Sequence, residues 1–360
     1  MLLSTIENWI IDDMTPKQVR YLQPILPKNA KAKVTDIYGQ IRRDFQLVPP
    51  ITLFSPSSEL LAGVWSIWRE SQFAVGMIPR VKLEAVSAAI SVLNTCPYCV
   101  DAHTGMLHAA SEHDVVNAIF EQNNSLINDE KTRQIVEWAL ATRTPNAQIL
   151  KSPPFTPKEA PEIIGTAIVY HFVNRMVSIF LSPSPLPVPS SSLKLRRVAV
   201  RLFGATVAKR IMKRQPISGD SLQFITQAEL ANEMSWAIPN NNIAKSYASF
   251  ASLIEQLGKE CLPDSVRQVV NQRINLWQGE EMGLSQSWVN ELVAELNNDD
   301  KPIARLALLT AFAPHQIDKD IIDQFRSKYQ GDEILLNVTA WASFTTARHI
   351  GRWLCHPNQT

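Results

Sequence analysis

The sequence PRVKLEAVSAAISVLNTCPYCVDAHTGMLHAA, residues 79–110, carries the strongest structural signal in this 360-residue chain. Pro79 suits the first turn of a helix. Apolar residues then recur at helical spacing: Val86, Ala89, Ile90 and Leu93. Asn94-Thr95-Cys96-Pro97 breaks this helix and begins another, which is predicted to run to about Ala110. The stretch therefore predicts a helical hairpin whose second helix begins beside a cysteine.

Helical periodicity also dominates the rest of the chain. Further helices are predicted from Ser57-Ser58-Glu59 onward and over residues 115–122, 131–142, 163–181 and 264–277. Glycine is scarce, at 12 of 360 residues, and no G-x-G-x-x-G or Walker-type loop occurs. No alternating apolar run bounded by Asn-Gly or Asp-Gly predicts a strand. These features together predict an all-α fold and exclude a nucleotide-binding loop.

Composition and charge are those of a folded chain with a sizeable core. Hydrophobic residues make up 45% and charged residues 19%, which excludes a disordered or collagen-like protein. The net charge of +1 indicates no nucleic-acid partner and no membrane partner. Residues 194–214 are locally basic without any acidic residue, which predicts a solvated helix face. Docking of an acidic protein or of a membrane surface is the alternative for this segment.

Several features bear on the compartment. Glu7, Asp12 and Asp13 stand where a secretory signal would carry basic residues and an apolar run. The most apolar window, residues 163–181, contains His171 and Arg175, which favours a buried core helix over a membrane span. Four cysteines in 360 residues are too few for a disulfide scaffold. We therefore expect a cytoplasmic protein.

A proline- and serine-rich segment divides the chain. Residues 183–192 fall within SPSPLPVPSSS, which should be extended and exposed. This predicts an N-terminal helical extension over 1–50, an active helical domain over 51–182, a linker over 183–192 and a second helical repeat over 193–360. The spacing Ile135-x3-Ala139-Leu140-x-Thr142 recurs as Ile303-x3-Ala307-Leu308-x-Thr310. The second half is thus predicted to be a degenerate copy of the first.

The candidate site is Glu84-x11-Cys96-Pro97-Tyr98-Cys99-x3-His103. Cys96 and Cys99 are three residues apart in the first turn of a helix, where two sulfurs can approach within disulfide reach. His103 lies one turn after Cys99 on the same face. In an antiparallel hairpin, Glu84 and His103 differ in depth by only about 4–5 Å at a rise of about 1.5 Å per residue. A carboxylate, an imidazole and two thiols are therefore predicted to converge.

Three other interpretations compete with a redox dithiol. Glu84, Cys96, Cys99 and His103 would make four ligands for a structural zinc, although a carboxylate is unusual there. Two buried, reduced cysteines without a role are also common. Covalent haem attachment needs histidine directly after the second cysteine, where Val100 stands, and is excluded. The helix N-terminus and the nearby histidine favour a reactive thiolate, hence a redox dithiol.

The motif Glu-x11-Cys-x2-Cys-x3-His resembles the active-site signature of the alkylhydroperoxidase D type within the carboxymuconolactone decarboxylase superfamily. The resemblance covers about residues 55–182, including Asn174-Arg175, a pair associated with peroxidase-related members. The resemblance is weaker over about residues 195–355. There the sequence resembles tandem members of the group at Leu276-Trp277-Gln278-Gly279 and at the later Trp341 and Trp353.

The resemblance implies an all-α antioxidant peroxidase that works without haem or metal and forms oligomers. Cys99 would become the sulfenic acid, and Cys96 would donate a proton and then close the disulfide. His103 and Glu84 would relay protons. The implied partners are a peroxide and an external dithiol reductant, with a lipoyl-type carrier as precedent. The alternative is a non-enzymatic interaction protein that binds zinc or senses redox state, and a homodimer is one open oligomeric form.

The second half departs from the motif. Counting from Pro263 as from Pro79, the motif positions are occupied by Gln268, Glu280, Gly283 and Ser287. A half without thiol or imidazole cannot run this reaction, so we interpret it as a structural partner. Cys261 and Cys355 belong to neither motif and are expected to be ordinary core or edge cysteines. His171 is expected to be a satisfied core histidine, whereas Tyr98 and Asp101 flank the thiols and could tune them.

Overall fold

The computed structural model describes residues 18–186 and 193–354, and within these ranges the fold is all-α, as predicted. The only β-type pairing described there is a single antiparallel bridge between Val19 and Leu181. The longer helices are α1 (Ala32–Asp44), α2 (Ser58–Trp68), α3 (Arg80–Leu93), α4 (Pro97–Ala109), α5 (His113–Glu121), α6 (Glu130–Ala141), α7 (Ala160–Phe180), α8 (Leu193–Phe203), α9 (Asn241–Cys261), α10 (Asp264–Leu276), α11 (Ser287–Leu292), α12 (Lys301–Phe312), α13 (Lys319–Arg326) and α14 (Asp332–Leu354).

Local signals explain where the predicted helices begin. Ser57 caps α2 by accepting a hydrogen bond from the backbone N–H of Leu60, and Asp129 caps α6 in the same way through Thr132. Pro79 is the N-cap of α3, and Pro97 lies in the first turn of α4. The six predicted helices within residues 58–181 are therefore present, with predicted ends shifted by three residues at most.

Helix α7 is the centre of the molecule. Every residue of α7 except Ser178 is buried, as predicted from the polar residues in this apolar window. The helix is long and apolar enough to cross a bilayer, but 94% of its most apolar stretch is buried inside the protein. It packs along α14, where Ser343 donates a hydrogen bond to the carbonyl of Phe172 and Phe344 packs edge-on against the Phe172 ring. The two halves therefore share one core.

The segment before residue 50 is attached to this core by polar contacts. Within its described part, α1 packs against α2, and Gln40 accepts a hydrogen bond from the Trp65 indole. Helix α2 continues as a π-helical turn, Arg69–Phe73, whose Arg69 pairs with Asp44 of α1 at 2.8 Å. Residues 1–17 of the predicted extension lie outside the described residues.

The linker differs from the expectation of an extended, exposed segment where it is described. Ser184, Pro185 and Leu186 are half-buried, because Ser184 donates a hydrogen bond to Asp101 of α4. Residues 187–192 lie outside the described part. Beyond them, α8 and the π-helical turn Gly204–Ala208 pack closely on α4. The domain boundary at 183–192 stays a prediction, and the chain beyond it contacts the cysteine-bearing helix.

The second half is also helical, with one irregular region. Helix α10 begins after Pro263 and α14 closes the half, and residues 277–286 form a loop between α10 and α11. Gly279 and Gly283 adopt positive φ values of 93° and 66° in this loop. The internal repeat itself stays a prediction.

Candidate active site

The dithiol lies at the turn between α3 and α4. Thr95 adopts a left-handed conformation (φ 53°), which reverses the chain so that Cys96 becomes the N-cap of α4. Cys99 follows in the first turn, and the two sulfurs are 3.0 Å apart. Both side chains are buried, with 1% and 3% exposure. This separation is within hydrogen-bond distance and longer than a disulfide bond of about 2.05 Å, so both cysteines are free in this structure.

The surroundings of the two sulfurs differ. Burial opposes ionisation of Cys96, but hydrogen bonds from Cys99, Ser178 and Asn174 outweigh it and lower the pKa of Cys96. Burial and the neighbouring Cys96 raise the pKa of Cys99 well above its ordinary value. Because the two groups are this close, the first proton lost by the pair leaves a negative charge centred on Cys96, and Cys99 keeps its proton.

Glu84 and His103 meet across the hairpin. Nδ1 of His103 is 2.7 Å from Oε2 of Glu84, and both side chains are buried. Burial opposes the charge on Glu84, but the contacts with His103 and Arg80 lower its pKa. Arg80 donates to the other carboxylate oxygen at 3.3 Å and its guanidinium stacks over the Phe73 ring. Glu84 is therefore an ionised carboxylate that orients the imidazole.

Tyr170 of α7 packs against the imidazole of His103. No feature of the sequence predicted this contact. Its ring lies edge-on to His103, with ring centroids 4.6 Å apart. Its hydroxyl donates to Gln72 at 2.8 Å and accepts from the Trp68 indole at 2.9 Å. Burial raises the pKa of Tyr170 well above its ordinary value, so the phenol stays neutral.

Asn174 links the sulfurs to the core of α7. Its amide nitrogen donates to Ser91 at 3.2 Å, and its carbonyl accepts from Asn94 at 3.0 Å. Asn94 also donates to Nδ1 of His171, whose Nε2 lies 2.9 Å from Thr142. Burial lowers the pKa of His171 well below its ordinary value. His171 is therefore a neutral core histidine, whereas Asn174 contacts the dithiol.

A cavity of about 460 Å³ lies over Cys99 and His103. Its wall is almost wholly apolar and comes from segments far apart in the chain: residues 45–50, Trp68, α4, Tyr170 and Val173 of α7, and residues 203–211. Gln18, Pro185 and Leu186 also line it. Cys96 is absent from the lining, so Cys99 is the sulfur that faces the cavity. The volume suits a small organic molecule.

The two residues that flank the thiols have structural partners. Asp101 is buried and pairs with Arg196 of α8 at 2.6 Å. Burial raises the pKa of Asp101 although Arg196 opposes this. Tyr98 donates its hydroxyl to Gln18 at 2.9 Å. Arg196 shows that the basic segment is not solvated throughout, because this residue holds α8 against α4.

Other titratable groups lie outside this site. Cys261 is half-buried at the end of α9, 3.9 Å from the amide of Asn337, and Cys355 lies outside the described residues. His108 and His113 approach to 2.9 Å near the surface. Among the described residues, no group of three or more His, Cys, Asp or Glu side chains is arranged to hold a metal ion.

The fold and the site define an all-α protein with a buried dithiol beside a histidine–glutamate pair. No family model matches the chain. It is 36% identical over 339 residues to a protein of Mycobacterium tuberculosis named alkyl hydroperoxide reductase Rv2159c, and the match covers 94% of this chain and 95% of the relative. The chain belongs to the family of that protein, the alkylhydroperoxidase D-like proteins.

Proposed function

We propose that this protein is a thiol peroxidase that reduces organic hydroperoxides to alcohols through Cys99 and Cys96. One observation carries the proposal: Cys99 and His103 both face an apolar cavity, while the sulfur of Cys96 lies 3.0 Å from that of Cys99. The name of the 36% identical relative supports the same class of reaction.

In the first step, Cys99 is the nucleophile. Its raised pKa means that it needs a base, and His103 lies one helical turn away on the same cavity. Nδ1 of His103 is bound to Glu84, so Nε2 accepts the Cys99 proton. The thiolate attacks the terminal oxygen of R–OOH and the O–O bond breaks. The leaving alkoxide takes the proton from His103, which yields R–OH and the sulfenic acid of Cys99.

In the second step, Cys96 resolves the sulfenic acid. Its lowered pKa favours the thiolate, and this thiolate attacks the sulfur of Cys99. The disulfide forms, and the sulfenic oxygen leaves as hydroxide, which takes a proton from solvent to become water because His103 gave its proton to the alkoxide in the first step. An external dithiol, with a lipoyl-type carrier as the candidate class, then reduces the disulfide and is itself oxidised. Two electrons thus pass from that dithiol to the hydroperoxide.

The test is steady-state consumption of cumene hydroperoxide with dihydrolipoamide as reductant. Wild type and Cys261→Ser, the matched control, should turn over equally. Cys99→Ser should abolish turnover. Cys96→Ser should consume about one equivalent of hydroperoxide and retain a sulfenic acid on Cys99 that dimedone traps.

Three outcomes would contradict the proposal. Full turnover by Cys99→Ser would exclude that residue as the nucleophile. Dimedone labelling of Cys96 in Cys99→Ser, after consumption of about one equivalent of hydroperoxide, would reverse the two roles. No turnover with any dithiol, together with zinc released on thiol modification, would instead favour the zinc-bound interaction protein.

A further inference from the structure

A second cavity, of about 510 Å³, lies between the two halves and shares no lining residue with the cavity over Cys99. Its floor is the Asn94-Thr95 turn that precedes the dithiol. Its outer wall is the irregular loop of residues 277–286, which joins α10 to α11. Nothing in the proposed peroxidase mechanism uses this space.

Two arginines line this cavity. Arg175 of α7 is 5% exposed, and its guanidinium donates to the carbonyls of Ala311 (2.9 Å) and His171. Arg143 donates to the carbonyls of Leu93 (3.0 Å) and Gly279 (2.9 Å). In the part of the chain that the structure describes, Nη2 of Arg175 makes no hydrogen bond and the buried Nε of Arg143 has no partner. Each guanidinium group therefore has an N–H donor that can bind a ligand.

Neither arginine has a carboxylate partner among residues 18–186 and 193–354. This contrasts with buried arginines elsewhere in the molecule, since Arg69 pairs with Asp44 and Glu70 and Arg196 pairs with Asp101. Two cations in one partly buried space repel each other and are costly without an anion. Burial and Arg143 accordingly lower the pKa of Arg175 to about 9. Glu281 and Glu280 attract Arg143 only from a distance, so no carboxylate of the described residues contacts either guanidinium group.

The remaining wall is apolar and aromatic. The guanidinium of Arg143 stacks over Trp277, with 5.6 Å to the ring centroid, and Phe312 packs edge-on against the same tryptophan. Met282 and Leu284 lie at the entrance, where Leu284 is 95% exposed. The exposed Glu281 also lines the cavity, so a second negative charge on a ligand would be repelled there. A ligand with one anionic end and an apolar body fits these walls.

We propose that this cavity binds a small organic monocarboxylate, whose carboxylate accepts hydrogen bonds from Arg175 and Arg143 and whose apolar body lies against Trp277 and Phe312. The site is independent of the dithiol, because neither sulfur contributes to it. Its existence therefore does not depend on the proposed peroxidase function.

The test is isothermal titration of the full chain with 2-naphthoate, 2-naphthamide and inorganic phosphate. Naphthoate should bind saturably at one site, and the neutral amide at least about tenfold more weakly, because charge-assisted hydrogen bonds are lost. Arg175→Met should lose at least about tenfold in affinity. Arg133→Met, a half-exposed arginine on α6, is the matched control and should bind as wild type.

A second variant keeps the test decisive if Arg175→Met does not fold. Glu281→Gln removes only an exposed charge at the entrance and should bind naphthoate about two- to fivefold more tightly. Equal binding of naphthoate and naphthamide would overturn the proposal. The proposal would also be overturned if phosphate bound as tightly as naphthoate, if Glu281→Gln left the affinity for naphthoate unchanged, or if no naphthoate bound at millimolar concentration. Cys99→Ser should bind as wild type, which separates this site from the peroxidase reaction.

Discussion

Nδ1 of His103 lies 2.7 Å from Oε2 of Glu84, although the two residues are nineteen positions apart and belong to different helices. The ionised carboxylate accepts a hydrogen bond from Nδ1–H of the ring, so Nε2 is the nitrogen that can act as a base. Nε2 makes no hydrogen bond within the described part of the chain, and His103 lines the cavity with Cys99. The hydrogen bond therefore links the buried carboxylate of Glu84 on α3, through the imidazole of His103, to the sulfur of Cys99 on α4.

Glu84→Gln is expected to lower the rate of cumene hydroperoxide reduction by about 10²–10⁴-fold, because the imidazole loses the anion that orients it and stabilises its protonated form. The measurement is kcat with saturating dithiol. A variant rate within threefold of wild type would exclude Glu84 from the relay. Glu137→Gln on α6, outside the site, is a control that should not change kcat.

The same carboxylate should affect stability in a pH-dependent manner. The folded pKa of Glu84 is lowered, so its stabilising contribution is complete above the unfolded value of about 4.3 and is lost as the pH falls through the lower folded value. Wild type should therefore lose its advantage over Glu84→Gln in acid. Urea unfolding at pH 7 and at pH 3 would measure this; a constant difference between the two proteins would contradict it.

Arg69→Met is expected to destabilise the fold by about 3–5 kcal/mol, because it leaves Glu70 as a buried charge without its cation and leaves the buried Asp44 with Arg43 alone. The free energy of urea unfolding measures the loss. Arg133→Met removes a half-exposed ion pair with Glu130 and should cost no more than about 1 kcal/mol. Equal losses of unfolding free energy in the two variants would mean that burial of an ion pair does not determine how much its removal destabilises the fold.

Phe203→Ala should alter specificity rather than chemistry. Phe203 lines the cavity over Cys99, so its removal takes apolar contact from a large hydroperoxide. We expect kcat/KM for cumene hydroperoxide to fall about tenfold and that for hydrogen peroxide to change less than about twofold. Leu202→Ala, at a neighbouring exposed position, is the matched control. An equal fall for both substrates would indicate a general loss of structure.

Gly204→Ala should disturb the contact between α4 and the segment after α8. A Cβ at this position would lie 2.7 Å from the carbonyl oxygen of Gly105 and 2.9 Å from the Cβ of His108. We expect a loss of about 1–3 kcal/mol in the free energy of unfolding. Gly39→Ala on α1 meets no atom within 4 Å and should instead stabilise by up to about 1 kcal/mol. Two effects of the same sign and size would contradict this account.

Local sequence signals predicted the hairpin because they act within one or two turns of helix. Pro79, the Asn94-Thr95 break and Pro97 define the ends of α3 and α4, and the predicted bounds agree with the structure within one residue. The same spacing rules placed Cys96 beside Cys99. The buried character of α7 was also predictable, since a polar residue such as Asn174 within an apolar window requires partners.

Tyr170, Arg80 and Gln72 were not predicted as neighbours of the site. Tyr170 reaches His103 from a helix 67 positions later, and no spacing in the sequence reports such a contact. The described part of the linker, residues 183–186, was expected to be exposed from its composition. Pro183 is exposed, whereas Ser184, Pro185 and Leu186 are half-buried because Ser184 donates a hydrogen bond to Asp101, a contact between residues 83 positions apart.

The sequence by itself determined that this chain is helical and that two thiols, an imidazole and a carboxylate lie in one hairpin, because helix periodicity and helix ends are set by neighbouring residues. Only the tertiary structure decided which sulfur faces the cavity and what surrounds it. The walls come from residues 45–50 and 203–211 as well as from α4, and those segments meet through burial and ion pairs that depend on the whole fold.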